Sequence, residues 1–151
     1  MNIIKSPNSI TKHHQGGAIV FLAGSIEMGK AADWQAIVEQ HFASLPDYTL
    51  LNPRRDDWDH TCQQTFEDPY FSQQVNWELN GLERADRIIM YLAPNTKSPI
   101  SLLELGLFAS SGKLLVCCPE GFWRKGNVDI VCEKYNIPNY KDLEQLLEQH
   151  F

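Results

Sequence analysis

Four short segments rich in apolar and β-branched residues alternate along the chain with longer segments whose apolar residues recur at helical spacing. The predicted strands are residues 18–23, 48–51, 87–92 and 113–118, with residues 137–140 as the candidate for a fifth. The predicted helices are residues 33–44, 71–85, 99–111, 127–135 and 141–150. Strands that are apolar throughout need cover on both faces. The alternation therefore predicts an α/β fold, with a doubly wound parallel sheet of four to five strands and helices on both faces.

The first 17 residues do not follow this alternation. They are mainly polar and end in Gly16-Gly17, so we expect a flexible N-terminal lead-in over residues 1–17 and a single domain over residues 18–151. In doubly wound sheets, ligands bind beyond the carboxyl ends of the strands, near the point where the strand order reverses. The loops that follow the strands are therefore where we expect the functional site.

Composition narrows the classes of partner. The chain has 151 residues and a formal net charge of -6, and its Lys and Arg residues form no basic stripe, which argues against a nucleic-acid polymer. No apolar run approaches the ~20 residues that cross a bilayer. The N-terminus also lacks the apolar core of a signal peptide. We therefore expect a cytoplasmic protein that acts on a small molecule and does not bind membranes.

No motif indicates a metal or a cofactor. None of the four cysteines has C-x-x-C or Cys/His zinc spacing. Residues 24–30 match the G-x-x-x-x-G-K spacing of a phosphate-binding loop, but Ala31 stands where a hydroxyl would bind magnesium, and Glu27 places a negative charge in the loop. We therefore do not predict a nucleoside triphosphatase. Gly24 and Ser25 remain candidates for binding a hydroxyl or a phosphate through their backbone amides.

One glutamate, Glu104, lies in an otherwise apolar predicted helix. Ser98 is suited to the N-cap of this helix and Pro99 to its first position, which places Glu104 in the second turn. An ionised carboxylate in an apolar setting needs a partner or gives up its charge. Glu104 is therefore either a working carboxylate or half of an ion pair with an arginine such as Arg54 or Arg55.

A second carboxylate, Glu78, shares one side of its predicted helix with apolar residues and can point inward. If Glu78 and Glu104 converge, two carboxylates flank one pocket, as the cleavage of a glycosidic bond requires. The alternative is that Glu78 pairs with Arg84 or Arg87 on a solvated face.

The polar loop over residues 52–59 follows a predicted strand and so belongs on the ligand side of the sheet. Trp58 can stack on a flat ring, and Asp57 can hydrogen-bond a base edge or sugar hydroxyls. The alternative is a charged surface loop that one tryptophan anchors.

Taken in order, these segments resemble the nucleoside 2-deoxyribosyltransferase family, in particular its bacterial branch. The resemblance runs from about Ile19 to Tyr135, on IVFLAGSIEMGKAADWQ, LLNPRRDDWD, QVNWELNGLERADRIIMYLAP, SPISLLELGLFA and GFWRKGNVDIVCEKY. It implies a flavodoxin-like fold and a catalytic glutamate in a Glu-Leu-Gly motif, here Glu104. It also implies a homo-oligomer with sites near the subunit interfaces.

The resemblance further implies a reaction. The glutamate attacks the anomeric carbon of a 2-deoxynucleoside and forms a covalent deoxyribosyl-enzyme, and a second base then takes the sugar. The acidic residue that helps to handle the base corresponds to Glu78, eight positions before Asp86, where the family usually has Asp.

Ser98 stands where the transferases carry an Asp that contacts the sugar. A serine at this place resembles the related 2-deoxynucleoside 5-phosphate N-hydrolases, in which it contacts phosphate, and Gly24 and Ser25 resemble their phosphate-side loop. We expect transfer of the sugar to another base. The alternatives are hydrolysis with water as the acceptor and a non-catalytic nucleotide-binding module.

Overall fold

The computed structural model describes residues 1–26, 33–55 and 57–151 of the chain. Within these ranges, six strands form one parallel sheet in the order β1-β3-β2-β4-β5-β6. The strands are β1 Asn2–Lys5, β2 Ala18–Gly24, β3 Tyr48–Asn52, β4 Arg87–Tyr91, β5 Leu114–Cys117 and β6 Asn139–Tyr140. The predicted doubly wound, flavodoxin-like architecture is confirmed, with six strands rather than four to five.

Helices cover both faces of this sheet. They are α1 Ile10–His13, α2 Trp34–Phe42, α3 Pro69–Arg84, α4 Pro99–Phe108, α5 Lys125–Tyr135 and α6 Leu143–His150. Val20 and Leu22 of β2 pack with α2 and α6, whereas Phe21 and Ala23 pack with the other four helices. Alternate residues of a strand point to opposite faces, so an all-apolar strand needs both layers. No helix in the described ranges is both long and apolar enough to pass through a membrane.

The N-terminal segment departs from the prediction of a flexible lead-in. Residues 2–5 form the edge strand β1, whose Ile3 and Ile4 lie opposite Leu50 and Leu51 of β3. Ile4 and Ile10 are buried in the core. The correction has a physical reason: residues 2–5 pair with a parallel strand far along the chain, and the local polar composition does not reveal such a partner.

The strand order reverses beside β2. The chain passes from β2 to β3 on one side and then to β4 on the other, so the carboxyl ends of β2 and β4 flank the switch point. Gly24 ends β2 at φ +132, and a Cβ there would clash with the backbone of Tyr91. Only glycine permits this close approach, which places Ser25 beside the loop that follows β4.

Candidate active site

Three hydroxyl groups meet at the switch point. Ser25 Oγ lies 2.9 Å from Thr96 Oγ1 and 2.6 Å from Ser98 Oγ, and it accepts a hydrogen bond of 2.9 Å from the Ala93 N–H. Ser25, Thr96 and Ser98 are all buried. The hydroxyl cluster (Ser25, Thr96 and Ser98) therefore joins the end of β2 to the loop that leads into α4.

Ser98 occupies the N-cap of α4, and Pro99 follows it at the start of the helix. Its backbone is left-handed, at φ 43 and ψ 56, and its side chain makes no capping hydrogen bond but faces Ser25. A non-glycine residue in this conformation is uncommon and persists where the surroundings determine it. The contacts within the hydroxyl cluster supply that constraint and so set where α4 begins.

Glu104 lies on the inner side of α4 with Ser101 and Leu105, and it is 8% exposed. Burial raises its pKa from 4.5 to about 8, and the negative charge of Glu78 adds to the rise. Among the described residues, no cation forms an ion pair with Glu104. The two arginines considered as partners bind elsewhere, Arg54 beside Asp33 at 3.4 Å and Arg55 to Asp57 at 3.0 Å.

The Glu78 carboxylate is held by the side-chain amide of Gln74. Gln74 Nε2 donates to Glu78 Oε1 at 2.8 Å and to the Pro53 carbonyl at 3.0 Å, and Gln74 Oε1 accepts from Ser6 Oγ. Burial raises the pKa of Glu78, and the hydrogen bond from Gln74 partly opposes the rise. Within the described ranges, neither Arg84 nor Arg87 pairs with it.

Glu78 and Glu104 are therefore a carboxylate pair. Glu104 is buried and Glu78 is half-buried, and negative charge on Glu78 opposes the ionisation of Glu104. Burial raises the pKa of both groups, so the pair keeps a proton at a pH where ordinary carboxyls are fully ionised. One can act as a nucleophile while the other carries a proton.

The loop after β3 carries Asp57 and Trp58, the two residues predicted to contact the base. Both contact other residues of the chain instead of the carboxylate pair. Asp57 is exposed, and its carboxylate accepts from Arg55 Nε at 3.0 Å and Nη2 at 3.1 Å. Trp58 is half-buried, with its ring 5.4 Å from the ring of Tyr70. The structure ties Asp57 and Trp58 to Arg55 and Tyr70, and no hydrogen bond in the described part joins them to the carboxylate pair.

Sequence reasoning missed two residues of this region, Thr96 and Gln74, and considered Arg55 only as a partner of Glu104, whereas Arg55 binds Asp57. Thr96 could have been found from its place in the loop after β4, and Gln74 from its position one helical turn before Glu78. The phosphate-loop match over residues 24–30 lies partly outside the described residues, which omit 27–32. Within the described ranges, no group of three or more His, Cys, Asp or Glu side chains could hold a metal ion.

The fold and the site together define a flavodoxin-type α/β protein with two carboxylates, the buried Glu104 and the half-buried Glu78, on the helices that flank its sheet. A family model described as "Nucleoside 2-deoxyribosyltransferase like" matches residues 17–122, which is more than half of the chain. The chain belongs to this family. The matched range contains both carboxylates and the hydroxyl cluster.

Among solved structures, the chain is similar to one described as a conserved protein from Enterococcus faecalis V583. The TM-score is 0.60 at 15% sequence identity, and the match covers 88% of this chain and 96% of that chain. At this identity the likeness concerns the fold alone. No curated protein sequence matches the chain.

Proposed function

We propose that this protein cleaves the N-glycosidic bond of a 2-deoxynucleoside and transfers the deoxyribosyl group to another base through a covalent intermediate on Glu104. The observation that carries the proposal is the carboxylate pair, in which the buried Glu104 faces the charge of the half-buried Glu78 and neither has a cationic partner in the described part of the chain. Membership of the family supports a nucleoside-processing enzyme, and the specific reaction is our proposal.

In the first step, a carboxylate oxygen of Glu104 attacks C1′ of the sugar. The C1′–N bond breaks, its electron pair stays on the base nitrogen, and Glu78 gives that base a proton. The products are a deoxyribosyl ester of Glu104 and a neutral free base. Retaining glycosidases use two closely spaced carboxyl groups, one on each side of the reacting carbon.

In the second step, a nitrogen of another base attacks C1′ and the ester bond to Glu104 breaks. The ionised Glu78 accepts the proton that the incoming base loses, which restores both carboxyl groups. Water in place of the base gives hydrolysis. Glu104 is 8% exposed, and this shielding favours a stacked base over water as the acceptor.

The reaction needs Glu104 ionised and Glu78 protonated at the start. Burial penalises charge on Glu104, so its ionised form is more reactive than a solvated carboxylate. Positive charge develops on the sugar as the glycosidic bond breaks, and the Glu104 carboxylate stabilises it in a region of low dielectric constant. No cofactor takes part in these steps.

The remaining site residues bind the substrate in this proposal. Gly24, Ser25 and Ser98 hold the sugar or its 5-substituent at the hydroxyl cluster, and Trp58 stacks on the base. The partners are a small-molecule nucleoside or nucleotide and further copies of the chain in a homo-oligomer.

One assay tests the reaction. The protein is incubated with a deoxynucleoside, with and without a second free base, and the products are separated by chromatography. A new nucleoside supports transfer, free sugar or sugar phosphate supports hydrolysis, and binding without turnover supports the binding module. Glu104→Gln should abolish turnover and the mass increase of the trapped deoxyribosyl-enzyme, whereas Glu83→Gln, an exposed site on α3, should retain both. Full activity in Glu104→Gln would refute the mechanism.

A further inference from the structure

A chain of hydrogen bonds runs from the N-terminal segment to Glu78. Ser6 Oγ donates to Gln74 Oε1, and Gln74 Nε2 donates to Glu78 Oε1 at 2.8 Å. Gln74 Nε2 also donates to the Pro53 carbonyl at 3.0 Å. Ser6 and Gln74 are each 6% exposed, whereas Glu78 is half-buried. Two buried polar side chains therefore lie behind a carboxylate that is only partly covered.

Chemistry fixes the direction of each hydrogen bond in this chain. A hydroxyl can donate or accept, but an amide oxygen can only accept, so Ser6 is the donor to Gln74. The Pro53 carbonyl can also only accept, so Gln74 faces it with the amide nitrogen. A flipped amide would turn its oxygen toward the Pro53 and Glu78 oxygens and lose all three hydrogen bonds. The contacts therefore leave one orientation for the Gln74 amide.

The N-terminal segment is itself anchored on both sides of Ser6. The Ser6 N–H donates to the Asn52 carbonyl at 3.2 Å, which continues the pairing of β1 with β3. Two residues later, the Asn8 carbonyl accepts a hydrogen bond of 2.8 Å from Trp77 Nε1 on α3. The family model matches residues 17–122. The support for the carboxylate on α3 therefore begins in a segment that precedes the family match.

The hydrogen bond from Gln74 decides which oxygen of Glu78 carries a proton. In a neutral carboxylic acid, the carbonyl oxygen accepts hydrogen bonds and the hydroxyl oxygen donates one. Glu78 Oε1 accepts from Gln74, so the proton belongs on Oε2. Oε2 makes no hydrogen bond within the described part of the chain. It is therefore the oxygen that is left to donate to a substrate.

Gln74 also limits how tightly Glu78 holds that proton. Burial raises the pKa of Glu78, and the hydrogen bond from Gln74 lowers it because the bond stabilises the ionised form. Among the described residues, the charged group that interacts with Glu78 is Glu104 on α4. The neighbours from the N-terminal segment and from the loop after β3 are neutral, namely the Ser6 hydroxyl and the Pro53 carbonyl. Gln74 is thus the group that favours release of the proton.

We infer that Gln74 is a positioning residue that aims the proton of Glu78 at the leaving base, and that Ser6 fixes the Gln74 amide; this rests on the proposed function. A proton donor acts only when it is held within hydrogen-bonding reach of the atom that receives the proton. Without the amide, the Glu78 carboxyl can rotate and carry its proton on either oxygen. The N-terminal strand is therefore part of the catalytic apparatus through Ser6.

The test measures kcat and kcat/KM for a deoxynucleoside across pH. In the wild type, kcat/KM should fall above a pH of about 8, where the carboxylate pair loses its last proton. Gln74→Leu keeps a side chain of similar size without the donor. It should lower kcat roughly 10- to 100-fold with little change in KM. The fall in kcat/KM should also move to higher pH, because ionised Glu78 has lost its donor.

Variants of Ser6 grade the effect. Ser6→Ala should give a smaller change in the same direction, and Ser6→Thr, which keeps the hydroxyl, should restore wild-type behaviour. Ser6→Ala in the Gln74→Leu background should cause no further shift of the pH profile, because the amide that Ser6 fixes is absent. Ser6→Ala also keeps the test decisive if Gln74→Leu does not fold.

Trp77→Phe is the matched control. It removes the other hydrogen bond between the N-terminal segment and α3 but does not touch Gln74, so it should lower the melting temperature and leave the pH profile unchanged. Two results would overturn the inference: the same pH profile in wild type and Gln74→Leu, or an equal shift in Trp77→Phe. The first means that Gln74 does not act on Glu78, and the second means that the effect is one of general packing.

A titration without substrate separates this inference from the proposed reaction. The NMR signal of the Glu78 carboxyl carbon, assigned with Glu78→Gln, is followed with pH in the wild type and in Gln74→Leu. Glu78 should titrate at higher pH in Gln74→Leu. If the wild type turns over no deoxynucleoside, the proposed reaction fails by itself. The titration then still decides, since an unchanged pKa of Glu78 refutes the role of Gln74.

Discussion

At the scale of single residues, the carboxylate pair makes the fold less stable than it could be. Glu104 sits in an apolar helix without a cationic partner in the described chain, and Glu78 is held by a neutral amide. A fold selected for stability alone would place leucine or glutamine at position 104. The arrangement makes sense if a charge has to appear there during a reaction.

The first prediction concerns the stability of Glu104→Gln. The folded-state pKa of Glu104 is raised from 4.5 to about 8, so between these pH values the folded protein holds a proton that the unfolded chain has lost. Stability of the wild type therefore falls as pH rises through this window. Glutamine resembles the protonated acid, so the variant should be more stable by roughly 2–5 kcal/mol at pH 8 and equal to wild type near pH 4.5.

Thermal melting at pH 4.5, 6 and 8 measures this difference, and each kcal/mol corresponds to roughly 2–4 °C for a chain of this size. Glu133→Gln on the exposed side of α5 is the matched control and should show no such trend. A gain in stability that does not change with pH would contradict the prediction.

The second prediction concerns the pH dependence of the reaction. The proposed reacting form has Glu104 ionised and one proton on Glu78, so kcat/KM should fall about tenfold per pH unit above a pH of about 8, where the pair loses that proton. Glu78→Gln leaves Glu104 as the one titrating carboxyl of the pair, so this fall above pH 8 should disappear. The variant should also lose roughly 10²–10⁴-fold in kcat, because the proton donor is gone. A fall above pH 8 of the same size in both proteins would show that Glu78 does not carry the proton.

At the scale of elements, the site depends on how α4 begins. The hydroxyl cluster ties the end of β2 to the loop before α4 and holds Ser98 in its left-handed conformation. Glu104 lies less than two turns further along the helix. Any shift of this N-terminus therefore moves the proposed nucleophile relative to Glu78 on α3.

The third prediction concerns Ser25→Ala. It leaves the buried Ala93 N–H without its acceptor and removes the contacts to Thr96 and Ser98. We expect a loss of roughly 1–3 kcal/mol in the free energy of unfolding, measured by urea denaturation. Ser44→Ala changes an exposed hydroxyl and should cost about 0.5 kcal/mol or less. Equal effects in the two variants would mean that the hydroxyl cluster does not stabilise the fold.

At the scale of the whole molecule, one face of α4 is apolar and exposed. Ile100, Leu103 and Leu107 follow one another along the outside of the helix at 60%, 60% and 59% exposure. A helix with apolar residues on all sides is typical of a buried position. An exposed apolar stripe of this kind marks an interaction surface, and the proposed homo-oligomer supplies a second copy of the chain to cover it.

The fourth prediction concerns this surface. Leu103→Lys places a charge in the middle of the stripe and should shift the oligomer toward monomer, measured by size-exclusion chromatography with light scattering. Ile37→Lys changes a residue of similar character on α2, across the sheet, and should leave the mass unchanged. A wild-type protein that stays monomeric at high concentration would refute the proposed assembly.

Local patterns in the sequence determined most of the architecture. Apolar β-branched runs and helical periodicity depend only on neighbouring residues, and they placed four strands, the major helices and the apolar helix around Glu104 correctly. The N-cap at Ser98 and the start at Pro99 were predictable for the same reason, because helix-start preferences act over a few residues. The unusual position of Glu104 was likewise visible as one charge in an apolar segment.

Contacts between distant segments were decided by the tertiary structure alone. Strand β1, which the sequence did not predict, pairs with β3 more than forty residues away, and the candidate strand at residues 137–140 forms only over β6, where it pairs with β5. Gln74, rather than an arginine, holds Glu78, and Arg55 turns to Asp57 and Tyr70 instead of Glu104. Which polar partners meet depends on strand order and on helix packing across the sheet. No local preference encodes that order, so only the folded chain shows which carboxylates stay unpaired.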